Sequence, residues 1–152
     1  DAMIMKHIEE FFNLKIGTLT AESLKIQVAS LYENDGARTV VSGRDVTSGK
    51  PRSVSVCSQD ILFPVKIFFD KLFEVIELVL AKLPAEVSAE IRRSGVFFAG
   101  GTSRIPGLDD YFKERMAIRA NISDDPEIAT VVGGGMVAGN SALLKKIKIV
   151  KH

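Results

Sequence analysis

The residues best suited to chemistry stand at Gly100-Gly101-Thr102-Ser103, directly after the apolar run Val96-Phe97-Phe98-Ala99. Such a run predicts a strand covered on both faces, and paired glycines at its end let the backbone turn sharply or touch a ligand. Pro106-Gly107 and the amphipathic segment Leu108-Asp109-Asp110-Tyr111-Phe112-Lys113 follow, so the order is strand, glycine turn, helix. Open α/β sheets place ligands there, at the carboxyl end of a strand. A plain β-turn-α connection has the same spacing. Glu22 and Lys25 form a second pair, three residues apart and so on one side of a helix. Spacing alone makes them a solvated ion pair unless something else points to them.

Two further glycine patterns fail as phosphate sites. Gly43 and Gly49-Lys50 are separated by five residues where a P-loop has four, and Pro51 stands where Ser or Thr belongs. Gly133-x-Gly135-x-x-Ala138 after Ile128–Val132 matches a dinucleotide fingerprint, but only 13 residues follow Gly139. That is too few for the helix, strand and acidic residue the fingerprint requires. No Ser/His/Asp or paired-carboxylate arrangement stands out, and no Cys/His cluster has zinc spacing.

At 152 residues and 46% apolar, the chain is long enough for one core or two small lobes. Its net charge of +1 comes from 20 basic and 19 acidic residues spread along the sequence, which excludes a polyanion stripe and nucleic acid as a partner. The single cysteine, Cys57, makes no internal disulfide and reads as a small filler in an alternating strand. Val75–Leu83 is short and carries Glu77 and Lys82, which argues against a membrane span, and no signal sequence is expected. A reducing, cytoplasmic setting follows. The basic, apolar tail from Leu143 reads as a solvated or docked terminus, too short for a membrane anchor.

Several elements must position the glycine loop and the Glu22/Lys25 pair. The start is already a helix pattern, with Ile4, Ile8 and Phe11 or Phe12 on one side, as though the chain began in the middle of something. Thr20 is the expected N-cap of the next helix, with Leu24 and Val28 on its inner face. Arg38–Gly43 and Arg52–Cys57 read as a hairpin around a turn at Asp45–Lys50. Ser58-Gln59-Asp60 is expected to cap a long helix to about Leu83, with Pro64 in or just after its first turn and Phe68, Phe69 and Phe73 in the core. Pro84 restarts a short helix to Arg93, Ala117–Ile122 gives a strand, and Asp124-Asp125-Pro126-Glu127 is expected to begin the last helix. Three consecutive glycines in that helix cost ~2–3 kcal/mol relative to alanine, tolerable where a backbone or a ligand presses close.

Two separate stretches resemble one superfamily. Phe98-Ala99-Gly100-Gly101-Thr102-Ser103-Arg104-Ile105-Pro106-Gly107-Leu108 resembles the adenosine motif shared by actin, the heat-shock chaperone ATPases and the sugar kinases. Thr20-Ala21-Glu22-Ser23-Leu24-Lys25-Ile26 resembles the nucleotide-side helix of the MreB family, the bacterial actins that govern cell shape. Ile16-Gly17, the segment from Ser42 to Pro51, Leu83-Pro84-Ala85-Glu86-Val87, and the ending from Asp125-Pro126 to Met136-Val137 match in order and spacing. The resemblance spans essentially the whole chain. It implies an α/β, RNase H-like fold comprising most of domain II of an actin-like ATPase. Residues 14–83 would be the small α+β lobe IIB, inserted in a partial large lobe IIA of residues 1–13 and 84–152.

By that resemblance Gly100, Gly101, Thr102 and Ile105 lie at the base and α-phosphate side of ATP or ADP, with Mg, while Glu22 and Lys25 reach ribose and base. Glycine lets the backbone meet the ligand, and a carboxylate accepts hydrogen bonds from ribose hydroxyls. The family's catalytic loops and water-positioning acid are not found in this sequence, so the chain alone is expected not to hydrolyse ATP. Gly17-Thr18-Leu19 departs from the family's usual Gly-Glu-Arg, and Arg104-Ile105-Pro106 looks more like the chaperone branch. The implied function is that of a filament-forming cytoskeletal protein organising the cell-wall elongation machinery beneath the inner membrane, touching the membrane indirectly. A chaperone-like or sugar-kinase-like ATPase half, or an interaction module with a vestigial nucleotide site, are the alternatives. Strands at Val96–Ala99 and Ile118–Ile122 are expected to leave an unpaired edge, giving self-association there or local disorder near the N-terminus.

Overall fold

The computed structural model describes residues 1–33 and 35–145. Helix α1 (Ala2–Phe12) buries Ile4 and Ile8, the face its periodicity marks, and ends at Asn13 with φ 51°. Asparagine is among the few residues that enter this left-handed region readily. A short strand β1 (Leu14–Lys15) follows and joins the predicted hairpin, β2 (Arg38–Asp45) and β3 (Pro51–Cys57), in an antiparallel sheet ordered β1-β2-β3. Val41 pairs with Val54 and Thr39 with Val56. The hairpin turn is tied by Asp45, whose Oδ1 accepts from the Ser48 amide at 2.8 Å, the Ser48 hydroxyl at 2.9 Å and the Thr47 amide at 3.1 Å. These donors, the Ser48 amide first, hold its carboxyl below the usual carboxylate range.

Helix α2 (Thr18–Val28) starts two residues before Thr20, the expected cap, and Gly17 takes the cap position. Buried Ile16 fixes the chain at the end of β1, so the turn into the helix falls on the glycine. Ala21, Leu24 and Val28 form the buried face.

Helix α3 (Ser58–Leu80) is the long packing element, and its cap is Cys57, not Ser58. The Cys57 amide donates to Asp60 Oδ2 at 2.8 Å and its thiol lies 3.1 Å from the same oxygen, so this last, half-buried residue of β3 also forms a capping box. Pro64 lies in the second turn, deeper than expected; it offers no N–H to the Asp60 carbonyl, and burial with Ile61 and Val65 compensates. The helix stops at Leu80 because a turn must precede Pro84. Phe69 and Phe73 are core, as expected, but Phe68 is 46% exposed on the helix flank.

After α4 (Ala85–Ser94), strand β4 (Val96–Phe98) pairs in parallel with β5 (Ala120–Ile122), Val96 opposite Ala120. Phe97 is 79% exposed, so β4 is covered on one face only, contrary to the reading of its apolar run. Helix α5 (Leu108–Met116) supplies that cover through Phe112, whose ring meets Phe98 edge-on at 5.0 Å. Helix α6 (Ala129–Ala138) begins three residues beyond Pro126, which is instead buried in the preceding turn with its carbonyl 2.6 Å from the Gly100 amide. The three glycines do fall within α6, and none of the described residues approaches within 4 Å of where their Cβ atoms would stand. A short α7 (Ser141–Leu144) follows, and the tail from residue 146 lies outside the described residues.

Helices α3 and α5 join the two sheets through aromatic and polar contacts. Phe73 meets Phe112 edge-on at 5.0 Å, Tyr111 donates to Asp70 Oδ1 at 2.7 Å, and Arg115 Nε reaches the same oxygen at 3.3 Å. Burial first, then the Asp70 hydrogen bond, pushes the Tyr111 phenol up to about 12 from 10.0. A phenol whose folded pKa exceeds its unfolded value favours folding fully below the lower value and loses that contribution as pH rises through the higher. Unfolding monitored against pH is therefore expected to show a stability loss between pH 10 and 12 that Tyr111→Phe reduces.

Candidate functional site

Five of the six sequence-predicted residues converge. Glu22, Lys25, Gly101, Thr102 and Ile105 line one cleft of about 410 Å³, between α2 and the loop after β4. Helix α2 delivers Glu22 and Lys25 because Ala21 and Leu24 turn inward, leaving the other flank to the cleft. The loop is built as a 3₁₀ turn over Gly101–Arg104, pinned by buried Ser103, whose hydroxyl donates to the Gly100 carbonyl at 2.8 Å.

Gly100 does not line the cleft. Its φ of 91° makes the sharp turn out of β4, and its amide is consumed by the Pro126 carbonyl. Glycine is required here by backbone conformation. Gly107, at φ 83°, closes the same loop against the Tyr32 ring, while the Leu31 amide donates to the Pro106 carbonyl at 2.8 Å. The end of α2 and the glycine loop are thus held together directly.

Lys25 does not pair with Glu22. Its Nζ donates to Asp1 Oδ1 at 2.9 Å, and among the described residues the Glu22 carboxylate accepts no hydrogen bond. An adjoining cavity of about 330 Å³ shares Lys25, Thr102 and Ile105 and is walled by Ile4, Val65 and Phe68, so the cleft opens onto an apolar recess.

Arg104 and Glu127 also line the cleft, and neither was singled out from the sequence as a site residue. Arg104 Nε lies 3.0 Å from Glu127, and its other nitrogen is 3.6 Å from Asp125. Arg104 was within the glycine motif and could have been flagged by position. Glu127 carried no local signal, because only the fold returns it to Gly101.

A glycine loop at the end of a parallel strand facing an acidic helix flank suits a ligand with hydroxyl groups and a flat apolar portion. The sequence profile described as MreB/Mbl protein matches residues 1–146. The chain belongs to the MreB/Mbl family. It is 32% identical over 149 residues to the cell shape-determining protein Mbl of Bacillus cereus, covering 96% of this chain and 44% of that protein. Mbl of Bacillus subtilis is 29% identical over 150 residues, at 98% and 45% coverage. The crystal structure of MreB 5 of Spiroplasma citri bound to AMPPNP superposes with a TM-score of 0.87 at 27% identity, over 95% of this chain and 43% of that one. The same protein bound to ADP gives a TM-score of 0.86. The fold is therefore the actin-like α/β fold expected from the glycine motif, and this MreB/Mbl chain spans less than half the length of the relatives it matches.

Proposed function

We propose that this chain is the nucleoside-facing half of an ATP-binding, actin-like cytoskeletal protein that polymerises and directs cell shape through the wall-elongation machinery. The observation that carries the reading is the convergence of Glu22, Lys25, Gly101, Thr102 and Ile105 on one cleft. Support comes from the relatives, cell shape-determining proteins by name, and from MreB 5, solved with AMPPNP and with ADP. In this reading residues 14–83 are the small lobe, and residues 1–13 and 84–152 belong to the large one. The family match favours the cytoskeletal branch over a chaperone or sugar kinase.

The lining residues fit the nucleoside better than the phosphates. Glu22 offers its oxygens to ribose hydroxyls, Ile105 and Ile26 give apolar contact, and Gly101 admits close approach. Both cations of the cleft already hold carboxylate partners. Mg²⁺ binds phosphate oxygens, water and one or two carboxylates. Gripping the phosphates with their Mg²⁺, and positioning the hydrolytic water, fall to residues outside this cleft; the chain by itself is inactive in hydrolysis. Self-association runs through the unpaired edge of the β4–β5 sheet. The protein works at the cytoplasmic face of the inner membrane; among the described residues no helix is long and apolar enough to cross.

Calorimetric titration of ADP into the protein as its gene encodes it is expected to saturate. Glu22→Ala is expected to weaken binding roughly tenfold or more, the worth of one charge-assisted hydrogen bond. Wild-type affinity in that variant would remove Glu22 from the site.

A further inference from the structure

Strand β2 is the middle strand of its sheet, yet most of its length is paired on one side only: β1 meets it at Arg44 and Asp45 and stops there. The Asp45 amide donates to the Lys50 carbonyl and the Ala37 carbonyl accepts from the Ser58 amide, both at 2.9 Å, so odd-numbered residues turn their backbone groups toward β3. Directions alternate along an antiparallel ladder, and the amides and carbonyls of Val40 and Ser42 therefore point away from β3. Among the described residues no backbone group meets them. Helix α2 runs beside this edge and encloses with it a groove of about 290 Å³, walled by Leu19, Ser23 and Gln27 on one side and Thr39, Val40 and Ser42 on the other. Every side chain that lines it is uncharged. A hydrogen bond from Thr39 Oγ1 to Gln27 Oε1 at 2.6 Å fixes the spacing of its walls, and Leu19 stands 82% exposed at its rim. Arg38 and Arg44 flank the edge on the exposed face of β2, and among the described residues neither has an ion-pair partner.

We propose that α2 and the free edge of β2 form a docking groove for an extended segment of a partner protein, which adds to the sheet as an antiparallel strand, directs apolar side chains toward α2 and presents carboxylates to Arg38 and Arg44. The Val40 and Ser42 amides and carbonyls supply main-chain hydrogen bonds whatever the partner's sequence. Selection comes from the side chains. Alternate residues of the incoming strand enter the uncharged groove beside Leu19 and Leu24, and the others stand on the arginine face. The edge between the two arginines admits about five residues, ~17 Å of strand. An open edge invites indiscriminate pairing, and like charge at both ends turns basic segments away from this one.

The test is fluorescence anisotropy of a labelled, end-blocked pentapeptide, Asp-Val-Thr-Val-Asp, titrated with the full-length protein. Binding is expected with a dissociation constant below ~1 mM, and Lys-Val-Thr-Val-Lys is expected to bind at least about tenfold more weakly. N-methylation of the threonine, whose amide faces Val40 in antiparallel register, is expected to weaken binding about tenfold, whereas N-methylation of a valine, whose amide faces solvent, changes it less than about twofold. These comparisons use the wild-type protein and do not depend on any variant folding. Arg38→Glu combined with Arg44→Glu is expected to reverse the preference between the acidic and the lysine peptide. Failure of the acidic peptide to bind, equal binding of the two peptides, or indifference to which amide is methylated would each overturn the inference. A β2 edge protected from hydrogen exchange by self-association, with no displacement by the peptide, would overturn it too and assign the groove to a second copy of the chain.

Discussion

Phe73→Ala is expected to lower the free energy of unfolding by about 3–5 kcal/mol, read from the denaturant midpoint at unchanged slope. Phe73 is 2% exposed and touches aromatic rings on three sides, Phe69 at 6.0 Å, Tyr111 at 5.8 Å and Phe112 at 5.0 Å. Truncation loses the transfer free energy of the ring and opens a cavity that neither α3 nor α5 can close, because both helices are fixed by other contacts. Phe112 in turn supports Phe98, the last residue of β4, so the same cavity lies two rings from the glycine loop. A loss under about 1 kcal/mol would mean that the α3–α5 junction relaxes freely, and that this aromatic chain does not hold the loop.

Gly95→Ala is expected to cost about 3–4 kcal/mol and to weaken nucleotide binding along with stability. Gly95 has φ 86° and ψ 177°, a conformation open essentially to glycine alone. An added Cβ would stand 2.6 Å from the Arg119 carbonyl oxygen and 2.5 Å from Asn121 Nδ2. The first of these is backbone and already accepts the Val96 amide at 2.9 Å, so relief of the clash must part β4 from β5. With only two strands in that sheet among the described residues, little else holds β4 in register. Thermal melting checks the stability, and ADP titration of the folded variant checks whether the loop at the end of β4 has shifted.

What the sequence disclosed divides along physical lines. Alternation in Arg52–Cys57 and a turn rich in Asp, Ser and Gly made the hairpin legible, because both signals are local. The same holds for α3, whose apolar period marks Phe69 and Phe73, and for the glycine loop, whose spacing matches a known motif. Phe97 misled because an apolar run reports hydrophobicity without reporting which neighbours cover each face. Cys57 and Gly17 misled because cap positions depend on where the preceding strand ends, which is set by pairing across the sheet. Glu127 was illegible for a third reason: its position against Gly101 and Arg104 exists only once the turn at Pro126 folds back on the loop.

Amide hydrogen exchange of the full-length protein with and without ADP tests the central claim most directly. The account predicts that ADP slows exchange in α2 around Glu22–Lys25 and in the loop Gly101–Ile105, two segments far apart in sequence that share one cleft. Saturable ADP binding with protection confined to other segments, or no binding at all, would contradict it.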